Sequence, residues 1–187
     1  MSTALLAGLI QIARLSRQGT AAVLLLFGAA QAAEPDRHPL AYRLDAGATR
    51  YVRQYRVEVG DVPRHELRVF DLTRKFTRGT PMIDGVRLTE SQERGVADLV
   101  DQDGSESAYV IYVLEDGNRV FGRYSGTVRT RRWPDGSRHY DVRGTIELTG
   151  GTGRFEAIRG SMTVWQALDA GADSSQGDAR GEYWFER

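Results

Sequence analysis

Residues 103–149 read DGSESAYVIYVLEDGNRVFGRYSGTVRTRRWPDGSRHYDVRGTIELT, and this stretch decides the fold. Asp103-Gly104, Asp116-Gly117 and Asp135-Gly136 punctuate the β-rich runs SAYVIYVL (107–114), RVFGRYSGTVRT (119–130) and RHYDVRGTIELT (138–149). Asp-Gly between such runs signals a hairpin, because a type I′ turn needs positive φ at both central residues. Pro134 reinforces the last of these turns. Working outward, YVRQYRVEV (51–59), HELRVFDL (65–72), VRLTES (86–91) and GVADLV (95–100) read as further strands. ARGEYWFER (179–187) closes the chain after the polar loop 169–178. No segment after the leader carries a long 3.6-residue apolar period. The pattern predicts an all-β protein whose strands follow one another in an antiparallel up-and-down meander. Closure into a barrel would remove the edge strands that invite aggregation.

The run TGGTGRFEAIRG (149–160) that follows could be a phosphate cradle or a corner. A P-loop needs a Lys and a hydroxyl after its last glycine, and neither fits here. A dinucleotide loop needs a third glycine where Glu156 stands, and a helix after it. The corner reading accounts for more. Gly150, Gly151 and Gly153 permit positive φ and close backbone approach, Phe155 can plug one end of the core, and Gly160 permits a bend.

GGTGRF with Arg159-Gly160 resembles a stretch of plant dirigent proteins. EDGNRVFGRYSGT followed by ELTGGTGRFEAIRG is similar to bacterial proteins of the allene oxide cyclase-like type. The likeness covers roughly residues 107–165. It implies an antiparallel eight-stranded β-barrel with a central apolar cavity, commonly a trimer. It implies cavity chemistry in which substrate shape and a few polar groups steer a cyclisation or coupling. It assigns no reactive residue, because fold does not fix function.

Thr20 to Ala30 is a short apolar run downstream of Arg14 and Arg17, and Ala30 and Ala32 supply small residues at a cleavage site. These features define a secretory signal peptide. The expected organisation is a signal peptide over 1–32, an extended arm over 33–48 and a β-barrel domain over 49–187. Cleavage after Ala32 makes the product secreted and periplasmic, with no stable membrane anchor; an uncleaved anchor is the competing reading. The chain has 25 basic and 25 acidic residues, so no global positive field attracts nucleic acid. It has no Cys, which excludes disulfides, thiolate metal sites and a Cys nucleophile.

The remaining motifs reduce to surface. DLVDQDGSE (98–106) lacks the calcium-loop spacing, His38, His65 and His139 lack metal-ligand spacing, and no G-x-S-x-G elbow occurs. No metal or cofactor is expected. Period-two alternation points Tyr112, Tyr124, Tyr140 and Tyr183 inward, with Val142, Ile146 and Leu148, while Arg119, Arg123, Arg143 and Glu147 fall outside. The four tyrosines either fill the interior or line a cavity for an apolar ligand. The run 109–114 is apolar on both faces, so a second subunit or the arm is expected to cover it. Three functions stand open. The protein binds a small apolar molecule in the barrel, or it is an isomerase or cyclase with a buried charged group, or it is an envelope interaction module. A buried Arg, Asp or Glu facing the cavity separates the first two.

Overall fold

The computed structural model describes residues 34–186 except 77–78 and 170–174, so the leader and its cleavage site lie outside the described residues. The strands are β1 (His38–Arg43), β2 (Thr49–Glu58), β3 (His65–Lys75), β4 (Met82–Ile83), β5 (Val86–Val100), β6 (Asp103–Leu114), β7 (Arg119–Arg132), β8 (Arg138–Gly151), β9 (Ile158–Asp169) and β10 (Ser175–Phe185). They form one antiparallel sheet of ten strands in the order β1-β10-β9-β8-β7-β6-β5-β3-β2, with β4 paired to β5. The fold is the expected all-β, up-and-down architecture. No helix among the described residues is long and apolar enough to cross a membrane.

Two details of the expected barrel change. The strands number ten rather than eight, and the ladder does not close: β1 and β2 are its two ends. Every β2 residue after Thr49 is exposed, so no buried face draws β2 onto β1. The sheet is rolled nonetheless. Tyr42 on β1 packs its ring on Phe76, beyond β3, and on Tyr112 of β6. The segment 33–48, read as an arm, supplies β1, which pairs with β10 and buries Leu40, Tyr42 and Leu44. It therefore does not cover β6, whose outward Tyr109 remains 62% exposed.

The turns differ from the sequence reading in an informative way. Asp116-Gly117 and Asp135-Gly136 do end hairpins, but only the glycines take positive φ. The loops are 115–117 and 134–136, closed by Gly117 N–H to Leu114 O and Gly136 N–H to Trp133 O. That is a type I turn with a glycine bulge. Asp103-Gly104 is not a turn. The turn is Asp101-Gln102, both at positive φ, and Gly104 lies within β6 where a Cβ would strike the Asp98 carbonyl. A further I′ turn, Asp84-Gly85, joins β4 to β5. The runs 86–91 and 95–100 are one strand of 15 residues, bulged between Leu88 and Glu90.

TGGTGRF is a corner, and its glycines have separate jobs. Phe121 pairs with Gly150 and Gly122 with Leu148, so Thr149 is the extra residue of a β-bulge. Gly150 and Gly153 have φ of 148° and 55°. A Cβ on Gly151 would meet the Arg119 carbonyl, and one on Gly160 the Glu182 carbonyl. The corner is keyed to the neighbouring Asp-Gly-Asn turn. The Thr152 hydroxyl donates to Asn118 Oδ1 (3.1 Å) and accepts from Arg119 N–H (2.9 Å). This contact joins the EDGN turn to the GGTG corner. Its product is the short turn Gly153–Phe155, which inserts Phe155 with 0% exposure. Phe155, Ile83, Leu88, Leu114, Val120 and Ile158 fill this end of the roll.

Phe155→Ala should cost ~3–5 kcal/mol, the range for emptying a fully packed aromatic site; urea unfolding measures it, and a loss under 1 kcal/mol would contradict the plug. At the opposite end, His65 is clamped. Its Nδ1 lies 2.5 Å from Asp61 Oδ1 and its Nε2 2.7 Å from Asp98 Oδ1. Two carboxylate partners require both ring nitrogens to carry hydrogen, and these bonds, first to Asp98 and then to Asp61, raise the His65 pKa. The clamp therefore stabilises below the unfolded histidine value of about 6.5 and is lost as pH rises through the higher folded value. Denaturation midpoints of wild type and His65→Gln should converge as pH rises through that window; parallel curves would contradict the clamp.

Candidate functional site

Filling one end leaves the other half of the roll hollow. A cavity of ≈ 660 Å³ lies there, lined from β2 and β3 round to β9. One wall is apolar, made by Val128, Val142, Ile146, Val164 and Leu168. The opposite wall, from β3, β5 and β6, carries Arg74, Glu93 and Glu106. A volume of this size and a few convergent polar groups are what small-molecule sites require.

Tyr124 is set by two missing side chains. Gly126, two residues along β7, and Gly144, its cross-strand partner on β8, leave a bare strip of sheet. A Cβ on Gly126 would strike the Tyr124 hydroxyl, and one on Gly144 its ring edge. The ring therefore lies over the glycines, and its hydroxyl donates to Glu106 Oε1 at 2.7 Å. Burial raises the Glu106 pKa; the Tyr124 bond pulls it down, and the Glu93 charge pushes it up again. Tyr124 itself is pushed far above the ordinary phenol range by burial and by Glu106.

Arg74 and Ser91 are the buried polar residues of the core, and Arg74 is 4% exposed. Burial opposes its charge most strongly, yet Glu93 Oε1 at 2.7 Å and the neighbouring Tyr42 and Tyr112 together outweigh burial and raise its pKa. Its Nε donates to Thr49 Oγ1 at 3.0 Å. Beside it the Tyr42 and Tyr112 hydroxyls share a 2.8 Å hydrogen bond. Burial pushes Tyr42 up to about 12 and Tyr112 well above its ordinary value. Removing one member of a buried ion pair costs ~3–5 kcal/mol, because the other is stranded. At the rim Arg68 is tied to Glu66 and donates to Gln102 Oε1 at 2.8 Å.

The four tyrosines read from the sequence are all turned inward or packed, but only Tyr124 and Tyr140 line the cavity. Tyr112 is buried beneath it against Tyr42. Tyr183 sits at the filled end, stacks on His38 and accepts the Asp84 N–H at 2.7 Å. Gly150, Gly151, Gly153, Phe155 and Gly160 lie in the corner and at the filled end, away from the cavity lining. Arg119, Arg123, Arg143 and Glu147 are exposed, which fixes the strand register as read. Arg74, Glu93, Glu106 and Tyr42 are the residues missed. Continuing the inward period of Phe70 and Leu72 by one step reaches Arg74.

No family model matches the chain, and no curated protein matches it. A solved structure described as pyocyanin demethylase aligns over 75% of this chain and 98% of its own, at 15% identity and a TM-score of 0.39. Likeness at that level carries neither fold nor function across.

Glu106 should make stability fall with rising pH. Its folded pKa lies above the unfolded value of about 4.3, so its contribution is full below that value and is lost as pH rises through the folded one. Glu106→Gln keeps an acceptor for Tyr124 and removes the titration. Its urea midpoint should gain on wild type as pH rises from about 4.3 through the raised folded value; parallel profiles would show that Glu106 is not desolvated.

Proposed function

We infer that this is a secreted, periplasmic protein that holds a small, mainly apolar molecule inside its rolled sheet. The observation that carries the reading is the cavity of ≈ 660 Å³ with one apolar wall. The resemblance to the allene oxide cyclase-like and dirigent proteins agrees with it, since it implies an interior apolar cavity. A homo-oligomer, a trimer on that resemblance, belongs to the same proposal. An outer hollow of ≈ 540 Å³ lined by Tyr55, Val69, Val96 and Tyr109 supports it.

A second reading, an isomerase or cyclase, is favoured by one specific observation. Charged groups face the cavity: Arg74 with Glu93, and Glu106 with Tyr124. A desolvated carboxyl hydrogen-bonded to a phenol is an acid/base candidate, because burial moves its pKa toward working pH. Glu106 would move the proton, Tyr124 would hold the carboxyl in place, and Arg74 would stabilise developing negative charge.

Val164→Trp projects an indole into the cavity and tests occupancy. The neutral fluorophore N-phenyl-1-naphthylamine should bind wild type with enhanced emission. It should bind Val164→Trp at least about tenfold more weakly, which is ~1.4 kcal/mol, with the circular dichroism spectrum unchanged. Equal binding by both would place the dye outside the cavity and sink the reading.

A further inference from the structure

Resting on the cavity reading, we propose that the ligand carries one neutral hydrogen-bond acceptor, a carbonyl of the ketone, quinone or amide type, and that Arg74 reads it. A guanidinium has five N–H donors in a fixed fork. Arg74 spends Nε on Thr49 and Nη1 on Glu93. Among the described residues nothing accepts from its Nη2, and Nη2 is not among the sealed atoms that lack partners. Arg74 is one of the residues that line the cavity, so a ligand held there is within reach of this unspent donor. Buried donors call for acceptors.

The charge of the wall selects the acceptor. Glu93 already neutralises Arg74 at 2.7 Å, and the other guanidiniums of the lining, Arg56 and Arg68, act on Glu66 instead. Glu106, on the same wall, is a second carboxyl close enough to feel Glu93. An anionic group on Nη2 would lie against the Glu93 carboxylate, and like charges inside a low-dielectric site repel strongly. A neutral carbonyl accepts from Nη2 without that repulsion, while the body of the molecule lies on Val142, Ile146 and Val164. The ligand class is thus a compact apolar compound polar at one edge.

Three fluorophores of similar aromatic bulk test this on the full chain: prodan (a naphthyl ketone), N-phenyl-1-naphthylamine (no carbonyl) and anilinonaphthalene sulfonate (an anion). Arg74→Met alone strands Glu93, so the paired variant Arg74→Met/Glu93→Gln is used. From wild type to that variant the ratio of prodan to phenylnaphthylamine affinity should fall about tenfold, the size of one charge-assisted hydrogen bond. Phenylnaphthylamine, which makes only apolar contacts, is the reference that absorbs any general change in the cavity, so the ratio alone reports the lost hydrogen bond. An unchanged ratio would overturn Arg74 as the reader. A larger fall for the sulfonate than for prodan would overturn the neutral class. If neither prodan nor phenylnaphthylamine binds wild type, the cavity reading fails and this inference with it.

Discussion

A guanidinium buried to 4% exposure must be paired, and the Arg74–Glu93 pair organises the hollow half of this protein. The pair lies on adjacent strands, β3 and β5, one diagonal step apart in the ladder. It fixes the polar wall of the cavity and brings Thr49 of β2 onto Arg74. Tyr42 and Tyr112 pack against it from β1 and β6. Residues from both ends of an unclosed ladder thus meet around one buried charge. Replacing such a pair by apolar groups is often neutral or stabilising. Its presence facing a cavity is therefore better explained by what the cavity holds than by stability.

The division of the interior into a filled and a hollow half follows from side-chain size. At the end near the corner, Phe155 and a set of branched aliphatics are fully buried against one another. Towards the other end, glycines at 126 and 144 occupy inward positions of β7 and β8, and Val128 and Val142 follow. The same glycines that thin the wall create the bed for Tyr124, and Tyr124 in turn aims its hydroxyl at Glu106. Removing bulk from the sheet and placing an acid inside it are one structural device.

How much of this was legible in the sequence depends on where strands were taken to end. The meander, the inward faces of β7 and β8, the outward Arg123 and Glu147, and the plug at Phe155 all follow from period two and turn chemistry. The polar wall does not, and its residues share a reason. Arg74 lies just past a strand ended at Leu72. Glu93 lies in the break taken between 91 and 95, where the strand in fact continues. Glu106 lies before the run 107–114, because Asp103-Gly104 reads as the turn. Tyr42 lies in the segment read as an arm. A buried charge is rare, so period two alone does not carry a strand through one. The partner that makes it tolerable lies on another strand, and a single chain pattern does not display it. The open seam is likewise invisible, because β2 alternates as a half-buried strand does and yet is exposed on both faces.

The central claim is that the hollow half is occupied in life. Native mass spectrometry of the protein taken under gentle conditions from the cells that make it tests this most directly. The account predicts a polypeptide carrying one additional small, uncharged mass per chain, released on unfolding. A bare polypeptide that also gives no such molecule in an organic extract of the purified protein would contradict it.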